Sequence, residues 1–272
     1  MEYGSNSMAD AHGTYDVQRW VAGGATCAED MVAEEVPVAL VYNGYSHAVM
    51  LATPQDLEDF ALGFSLSEGL VADAREVYEL EVVEHASGHE VRMRIPGERF
   101  VALRARRRAL AGRTGCGLCG VESLEQVCRQ PLARVSANAV VEPGALVRAQ
   151  SELQSRQHLF QLTGAVHGAA WCRMDGTVEL VREDVGRHNA LDKLIGAVAD
   201  ARKGFDDGFV LMTSRASYEI VQKAAAVGIA VVAAVSAPTG MAVRMAQAAG
   251  VTLIGFARGE RHSVYSHPQR IH

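Results

Sequence analysis

The sequence has no apolar run long enough to cross a bilayer as a helix. The longest, Ala224 to Ala237, is broken by Gly228 and falls short of the roughly 20 residues a spanning helix needs. Met1 to Asp16 is polar, with neither a basic start nor an apolar stretch, so it does not read as a signal peptide. Basic charge is not in excess either. The formal net charge of −6 argues against general nucleic-acid binding. A second CxxC and a His-x-Glu are both missing. Four zinc ligands therefore cannot be assembled from neighbours in sequence, and no zinc is expected. A zinc deaminase would need H/C-x-E upstream of P-C-x-x-C, yet Gly115 precedes Cys116. The nearest substitute, Cys27-Ala28-Glu29, falls in a region expected to be poorly structured. Five cysteines (Cys27, Cys116, Cys119, Cys128, Cys172), an odd number without an export signal, fit reduced thiols better than a disulfide framework. The expectation is a soluble, cytoplasmic protein that binds neither membrane nor nucleic acid.

What is present is enough apolar material for a substantial core: 49% of 272 residues. Residues 1–16 read as a loose tail and 17–112 as a β-rich N-terminal subdomain. Within the latter, Glu35 to Tyr42 and Tyr45 to Leu51 read as strands around Asn43-Gly44, a hairpin turn whose residues accept positive φ. Thr53-Pro54-Gln55-Asp56 resembles a capped helix start, Leu57, Phe60, Ala61 and Phe64 recur at helical spacing, and Gly69 supplies the stop. Tyr78 to Arg108 alternates enough to suggest strands, and the arginines from Arg92 to Arg113 read as their solvated face or as a docking surface for an acidic partner. Residues 113–130 hold a glycine-rich CxxC loop and a helical-looking stretch, Val121 to Cys128. Residues 131–272 read as an α/β core. Strands at Val166–Cys172 and Val178–Arg182 precede a helix from about Asn189 to Ala201. Strands Phe209–Thr213, Ile229–Val235 and Val251–Phe256 then alternate with helices Ser217–Val227 and Thr239–Ala249. Single helices between apolar strands mean crossovers and an at least partly parallel sheet covered by helices.

Gly115-Cys116-Gly117-Leu118-Cys119-Gly120 places two thiols three residues apart among permissive glycines. By itself such a pair fits metal binding, dithiol redox chemistry, persulfide chemistry or no chemistry. Cys128, Cys172, His158 or His167 could complete a metal site only through tertiary contact. A transferring thiol must be reachable and ionised when it attacks, and Arg113 is the nearest sequence neighbour that could lower its pKa.

Several separated signatures go further. They are Glu35-Val36-Pro37 with Asn43-Gly44, Thr53-Pro54 leading to Ala61-Leu62-Gly63-Phe64 and Ser67-Glu68-Gly69, and the cysteine loop. The long stretch Arg182 to Lys193 follows, then Ser214-Arg215-Ala216-Ser217 with Glu219 and Lys223, Ser236-Ala237-Pro238-Thr239, and Gly255-Phe256-Ala257-Arg258-Gly259. Together they resemble the formate dehydrogenase accessory sulfurtransferase family, FdhD, over roughly residues 34 to 267. One departure is Gly164-Ala165-Val166-His167-Gly168, where the family pattern is Thr-Gly-Gly-x-His-Ala. The resemblance implies a sulfurtransferase that takes sulfur from a cysteine desulfurase as a cysteine persulfide. Its acceptor would be the bis(molybdopterin guanine dinucleotide) molybdenum cofactor of the formate dehydrogenase catalytic subunit. It also implies a homodimer and a cytidine-deaminase-like mixed sheet without the deaminase zinc. The persulfide cysteine matches Cys116, with Cys119 as partner. The cofactor-binding stretch matches Phe256, Ala257, Arg258, Gly259, Glu260 and Arg261.

A guanine dinucleotide carries pyrophosphates, for which a guanine nucleotide would be a mimic. Gly186-Arg187-His188-Asn189 leads into a predicted helix N-terminus, which favours anions, with His188, Arg187 and Arg215 as charged partners. Ser214 and Arg215 follow a predicted parallel strand at its C-terminal end, the usual ligand side of an open α/β sheet. Arg258 and Arg261 could clamp phosphates while Gly259 permits close backbone approach. The alternatives are a capped helix with solvated charges and a charged surface turn. Asp184 reads as an acceptor for a guanine edge or a partner of Arg187; His47, His85, His89 and His262 read as surface or structural histidines. Two rivals stay open: a thioredoxin-like dithiol oxidoreductase, and a molybdenum-cofactor chaperone without sulfur chemistry.

Overall fold

The structure is a computed structural model that describes residues 11–110, 135 and 139–272, without the side chains of 106–110 and 143. The cysteine loop 113–130, with Cys116 and Cys119, lies outside the described residues.

Two apolar patterns build the core. In β9 (Gly208–Met212) and β10 (Val231–Ala234) every residue is buried, so both faces of these strands need a cover. They lie in a six-stranded mixed sheet of order β12-β11-β10-β9-β7-β8. Its other strands are β7 (His167–Arg173), β8 (Val178–Asp184), β11 (Thr252–Arg258) and β12 (Arg261–Ser266). Strands β9, β10 and β11 are parallel, while β7 runs antiparallel to both of its neighbours. Val210, Met212 and Val232 face one cluster with α5 (Arg187–Asp200), α6 (Tyr218–Ala226) and α7 (Gly240–Ala249). Phe209, Leu211 and Val231 face the other, against Leu146, Ala149 and Leu153 of α3 (Pro143–Arg156). Successive residues point to opposite faces, so one strand serves two layers.

The second sheet has four strands in the order β4-β3-β6-β5: β3 (Val36–Tyr42), β4 (Tyr45–Ala52), β5 (Glu79–His85) and β6 (Gly88–Arg94). Helix α1 (Leu57–Ser67) joins it to the core, because Leu57, Phe60, Ala61 and Phe64 share one apolar cluster with Val38, Leu40, Leu191 and Leu194. α1 and α5 approach closely enough for backbone contact. A Cβ on Gly63 would sit 1.7 Å from the Asp192 carbonyl oxygen, and one on Gly196 would sit 1.9 Å from that of Asp59. The N-terminal β-rich unit thus shares its core with the α/β unit.

Several expectations are corrected. The loose tail expected over residues 1–16 gives way to β1 from His12; β1 (His12–Val21) and β2 (Gly24–Ala33) form an antiparallel hairpin, and Cys27 lies within β2. The strands expected across Tyr78–Arg108 end at Arg94, and Gly97–Leu110 is a helix, α2. α1 begins at Leu57 rather than just after Thr53. Asp56, in the left-handed region at φ 53°, occupies its N-cap without a side-chain bond. Thr53 is held elsewhere: its N–H and hydroxyl lie 3.0 and 2.9 Å from Asp184 Oδ2. The Asn43-Gly44 turn and the Gly69 stop form as expected, at φ 49°, 79° and 64°. α3, the short α4 (His158–Thr163) and β12 were not anticipated.

Candidate functional site

The order and direction of the strands put the C-terminal ends of β8, β9, β10 and β11 on one edge of the sheet, where α5, α6 and α7 begin. Three helix N-termini with unpaired N–H groups therefore line the side on which open α/β sheets bind ligands. The described candidate residues all lie along this edge. His188 is in the first turn of α5, Arg215 follows β9, and Phe256 to Arg261 form the end of β11 and its turn into β12.

At the α5–α6 corner, His188 Nε2 lies 3.3 Å from Ser217 Oγ and 3.6 Å from Glu219 Oε2. Ser217 is the N-cap of α6, yet its side chain caps nothing. Burial, then the charge of Arg187, holds the His188 imidazole below its ordinary pKa, against the pull of Glu219. Burial pushes Glu219 up, but its own N–H, Ser217, His188 and Arg187 together bring it below the usual carboxylate range. His167, at the start of β7, is also lowered by burial and by Arg187. Arg187 itself keeps a buried Nε without a hydrogen-bond partner. The corner thus offers a fixed cation, two imidazoles held below their ordinary pKa, a hydroxyl and one carboxylate. Ser217 and Glu219 were noticed in the sequence only as a motif; their first-turn positions beside His188 give them a place here.

The β11 end is built differently. Phe256 adopts φ 53°, uncommon for a bulky residue, within a register shift against β12, and is 44% exposed. Such strain persists only where the surroundings enforce it. The Phe256 N–H reaches the Ser236 carbonyl, and Arg258 Nε donates to the Val235 carbonyl at 2.8 Å, so the end of β10 holds this segment. Gly259 and Glu260 form the turn. Gly259 sits at φ 55° with nothing near its missing Cβ, so the turn itself favours glycine there. Arg258, Glu260 and Arg261 are exposed, and Ala257 is buried.

The long motif Arg182 to Lys193 proves largely structural. Arg182 binds Asp59 at 2.7 Å. Glu183 accepts the N–H groups of Leu159 and Phe160 and so caps α4. Asp184, read as a guanine acceptor or an Arg187 partner, is fully buried and paired with Lys193 at 2.7 Å. Asn189 donates to the Leu51 carbonyl and to Asp184. Arg187 and His188 are what remain for a ligand. A groove of about 1360 Å³ opens elsewhere, lined by Ser67, Glu68, Asp200 and Ala226 near the far ends of α1, α5 and α6. Among the described residues no three His, Cys, Asp or Glu side chains group to hold a metal, and no helix is long and apolar enough to cross a membrane.

The chain is 60% identical over 260 residues to the sulfur carrier protein FdhD of Cupriavidus necator, covering 96% of this chain and 90% of that one. It is 53% identical to the protein of the same name from Xanthomonas euvesicatoria, over 94% and 90% of the two chains. A crystal structure described as a formate dehydrogenase accessory protein, from Desulfotalea psychrophila, superposes with a TM-score of 0.78 at 23% identity, over 96% of this chain and all of that one, and supports the fold. The FdhD/NarQ family model matches residues 33–272, and the chain belongs to that family.

Proposed function

We propose that the protein is a sulfur carrier for formate dehydrogenase maturation, working through a persulfide on Cys116. The observation that carries the reading is its 60% identity, over nearly its whole length, to a protein named as a sulfur carrier. The Cys116 thiolate attacks the terminal sulfur of a persulfide offered by a cysteine desulfurase. The donor leaves as a thiolate, and Cys116 retains the sulfur as Cys116–S–SH. The acceptor is the bis(molybdopterin guanine dinucleotide) molybdenum cofactor, bound as substrate along the sheet edge. Arg187, Arg215, Arg258 and Arg261 suit its phosphates, and the N-termini of α5 and α6 add N–H donors. Glu219 opposes a phosphate at the α5–α6 corner, which suits that corner better to a base edge or hydroxyl than to a dianion. Cys119 assists or relays. The protein acts in the cytoplasm as a homodimer, and no zinc takes part.

Intact mass spectrometry after incubation with cysteine and a desulfurase tests the central step. One added sulfur atom, removable by reductant and absent in Cys116→Ala, is expected. Equal loading of Cys116→Ala overturns the assignment.

A further inference from the structure

Helix α3 brings one side chain to the candidate ligand edge. Its buried face, Ala145, Leu146, Ala149 and Leu153, packs against the sheet. Polar residues then fix it in place. Arg148 donates to the Asp175 carbonyl, Glu152 accepts the Val178 N–H, and Arg156 donates to the Val178 and Glu179 carbonyls. All three hold α3 to the start of β8 and the turn before it. Gln150 reaches a different strand end: its Oε1 accepts the Gly259 N–H at 2.7 Å, in the turn between β11 and β12.

That bond settles which way the carboxamide faces. A carboxamide has one acceptor atom, its oxygen, so the nitrogen with its two N–H donors is turned away from the Gly259 N–H. Amide geometry keeps this nitrogen within about 5 Å of the Gly259 nitrogen. Among the described residues nothing accepts from it, and it is not enclosed. Ordering a glutamine side chain ordinarily costs rotamer entropy. Here the turn has already ordered it, so an incoming acceptor meets a donor set in advance. Arg258 and Arg261 pair in register across the same turn and supply its positive charge, part of which the exposed Glu260 offsets. Gln150 adds a neutral donor of fixed direction beside them.

We propose that Gln150 is a ligand-binding residue with two tasks: its oxygen holds the β11–β12 turn through Gly259, and its amide nitrogen donates to a phosphate oxygen of the guanine dinucleotide. The inference rests on the proposed reading of this edge as the dinucleotide site. Gln150 lies 109 residues before Gly259, so no motif around the turn includes it.

Calorimetry on the full chain with guanosine diphosphate and with guanosine tests it, beside hydrogen exchange at the Gly259 amide. Gln150→Glu keeps an acceptor for Gly259 and loses the donor, whereas Gln150→Met loses both. Each variant is expected to bind the diphosphate about tenfold more weakly or worse, as for loss of a hydrogen bond to a charged group, and guanosine as before. Gly259 exchange should match wild type in Gln150→Glu and quicken in Gln150→Met. The loss in Gln150→Glu should persist at high salt, because screening removes the repulsion of a nearby charge but does not restore a missing hydrogen bond. Wild-type affinity for the diphosphate in Gln150→Glu at high salt, or an equal loss for guanosine, overturns the phosphate contact. Faster Gly259 exchange in Gln150→Glu, in step with lost affinity, makes the residue a support of the turn alone and also overturns it. Arg261→Ala tells the failures apart: if it weakens the diphosphate while Gln150→Glu does not, the reading of the edge stands and only Gln150 falls. A wild type that does not bind the diphosphate overturns both.

Discussion

Asp184 and Lys193 form an ion pair of 2.7 Å in which neither side chain reaches solvent. Every remaining valence is used. Asp184 also accepts hydrogen bonds from the Gly186 N–H and the Asn189 side-chain amide, while Lys193 donates to the hydroxyl and carbonyl of Thr53. The pair pins the strand-to-helix turn before α5 to the segment leading out of β4, so it fixes the frame in which Arg187 and His188 are presented. Removing one partner leaves a buried charge uncompensated, at a cost of about 3–5 kcal/mol. Asp184→Ala is therefore expected to lose most of the stability measured by urea unfolding. A loss below about 1 kcal/mol would place the pair in contact with water.

Packing of α1 on α5 leaves no room for a methyl group at either crossing glycine. Overpacking ordinarily costs about 1–3 kcal/mol. Here the obstacle is backbone, which cannot move aside as a flexible side chain does. Gly63→Ala and Gly196→Ala should each lower the unfolding midpoint sharply, while Gly97→Ala, which meets nothing within 4 Å, should not. Thermal scans of the three variants would check the contrast.

Much of this frame was legible in the sequence, for particular reasons. The β3–β4 hairpin announced itself through Asn43-Gly44, and the α/β half through apolar strands alternating with single helices. The β1–β2 hairpin gave no signal because neither face is buried, so it has no alternation to read. Helix α2 was hidden because its buried contact is narrow: Leu103 is enclosed and Phe100 partly so, among arginines. The Arg182–Lys193 motif misled in a different way. Its charges suggested a ligand site, but burial turned most of them inward, a consequence of tertiary contacts with Thr53, Asp59 and α4 that lie far away in sequence.

Stability should fall as the pH rises through the range set by Asp59. Burial lifts its carboxyl to about 6, although Arg182 pulls the other way. An unfolded aspartate ionises near ~3.9. Between these values the folded chain binds the extra proton, so this group's contribution is fully present below about 4 and is lost as the pH rises through about 6. Asp59→Asn should flatten that slope in unfolding midpoints measured across the window. A slope unchanged by the substitution would assign it to other groups.

The two arginines at the β11 turn should separate in their effects on nucleotide binding. Arg258 holds the Val235 carbonyl, whereas among the described residues the Arg261 side chain has no hydrogen bond or ion pair. If this edge binds the guanine dinucleotide, Arg261→Ala should weaken a guanine nucleotide mimic about tenfold, as expected for loss of a charge-assisted contact of about 1.5–3 kcal/mol, without changing stability. Arg258→Ala should weaken it too and also loosen the turn. Calorimetry showing unchanged affinity in both variants would take the segment out of the site.

Sulfur carriage and dithiol redox chemistry make different demands on Cys116 and Cys119. A dithiol reductant releases its product by closing a bond between its own two sulfurs, so the loss of either thiol stalls it. A persulfide carrier needs one sulfur to hold the cargo, and the other can help without being required for loading. Cys116→Ala is therefore expected to abolish both sulfur loading and the maturation of formate dehydrogenase. Cys119→Ala should load sulfur and impair maturation less. An escort without sulfur chemistry would support maturation with both cysteines replaced. Mass spectrometry of the loaded single variants, read beside formate dehydrogenase activity in cells carrying each one, distinguishes the three. Equal loss of loading in both single variants, with disulfide reductase activity in the wild type, would favour redox chemistry over transfer.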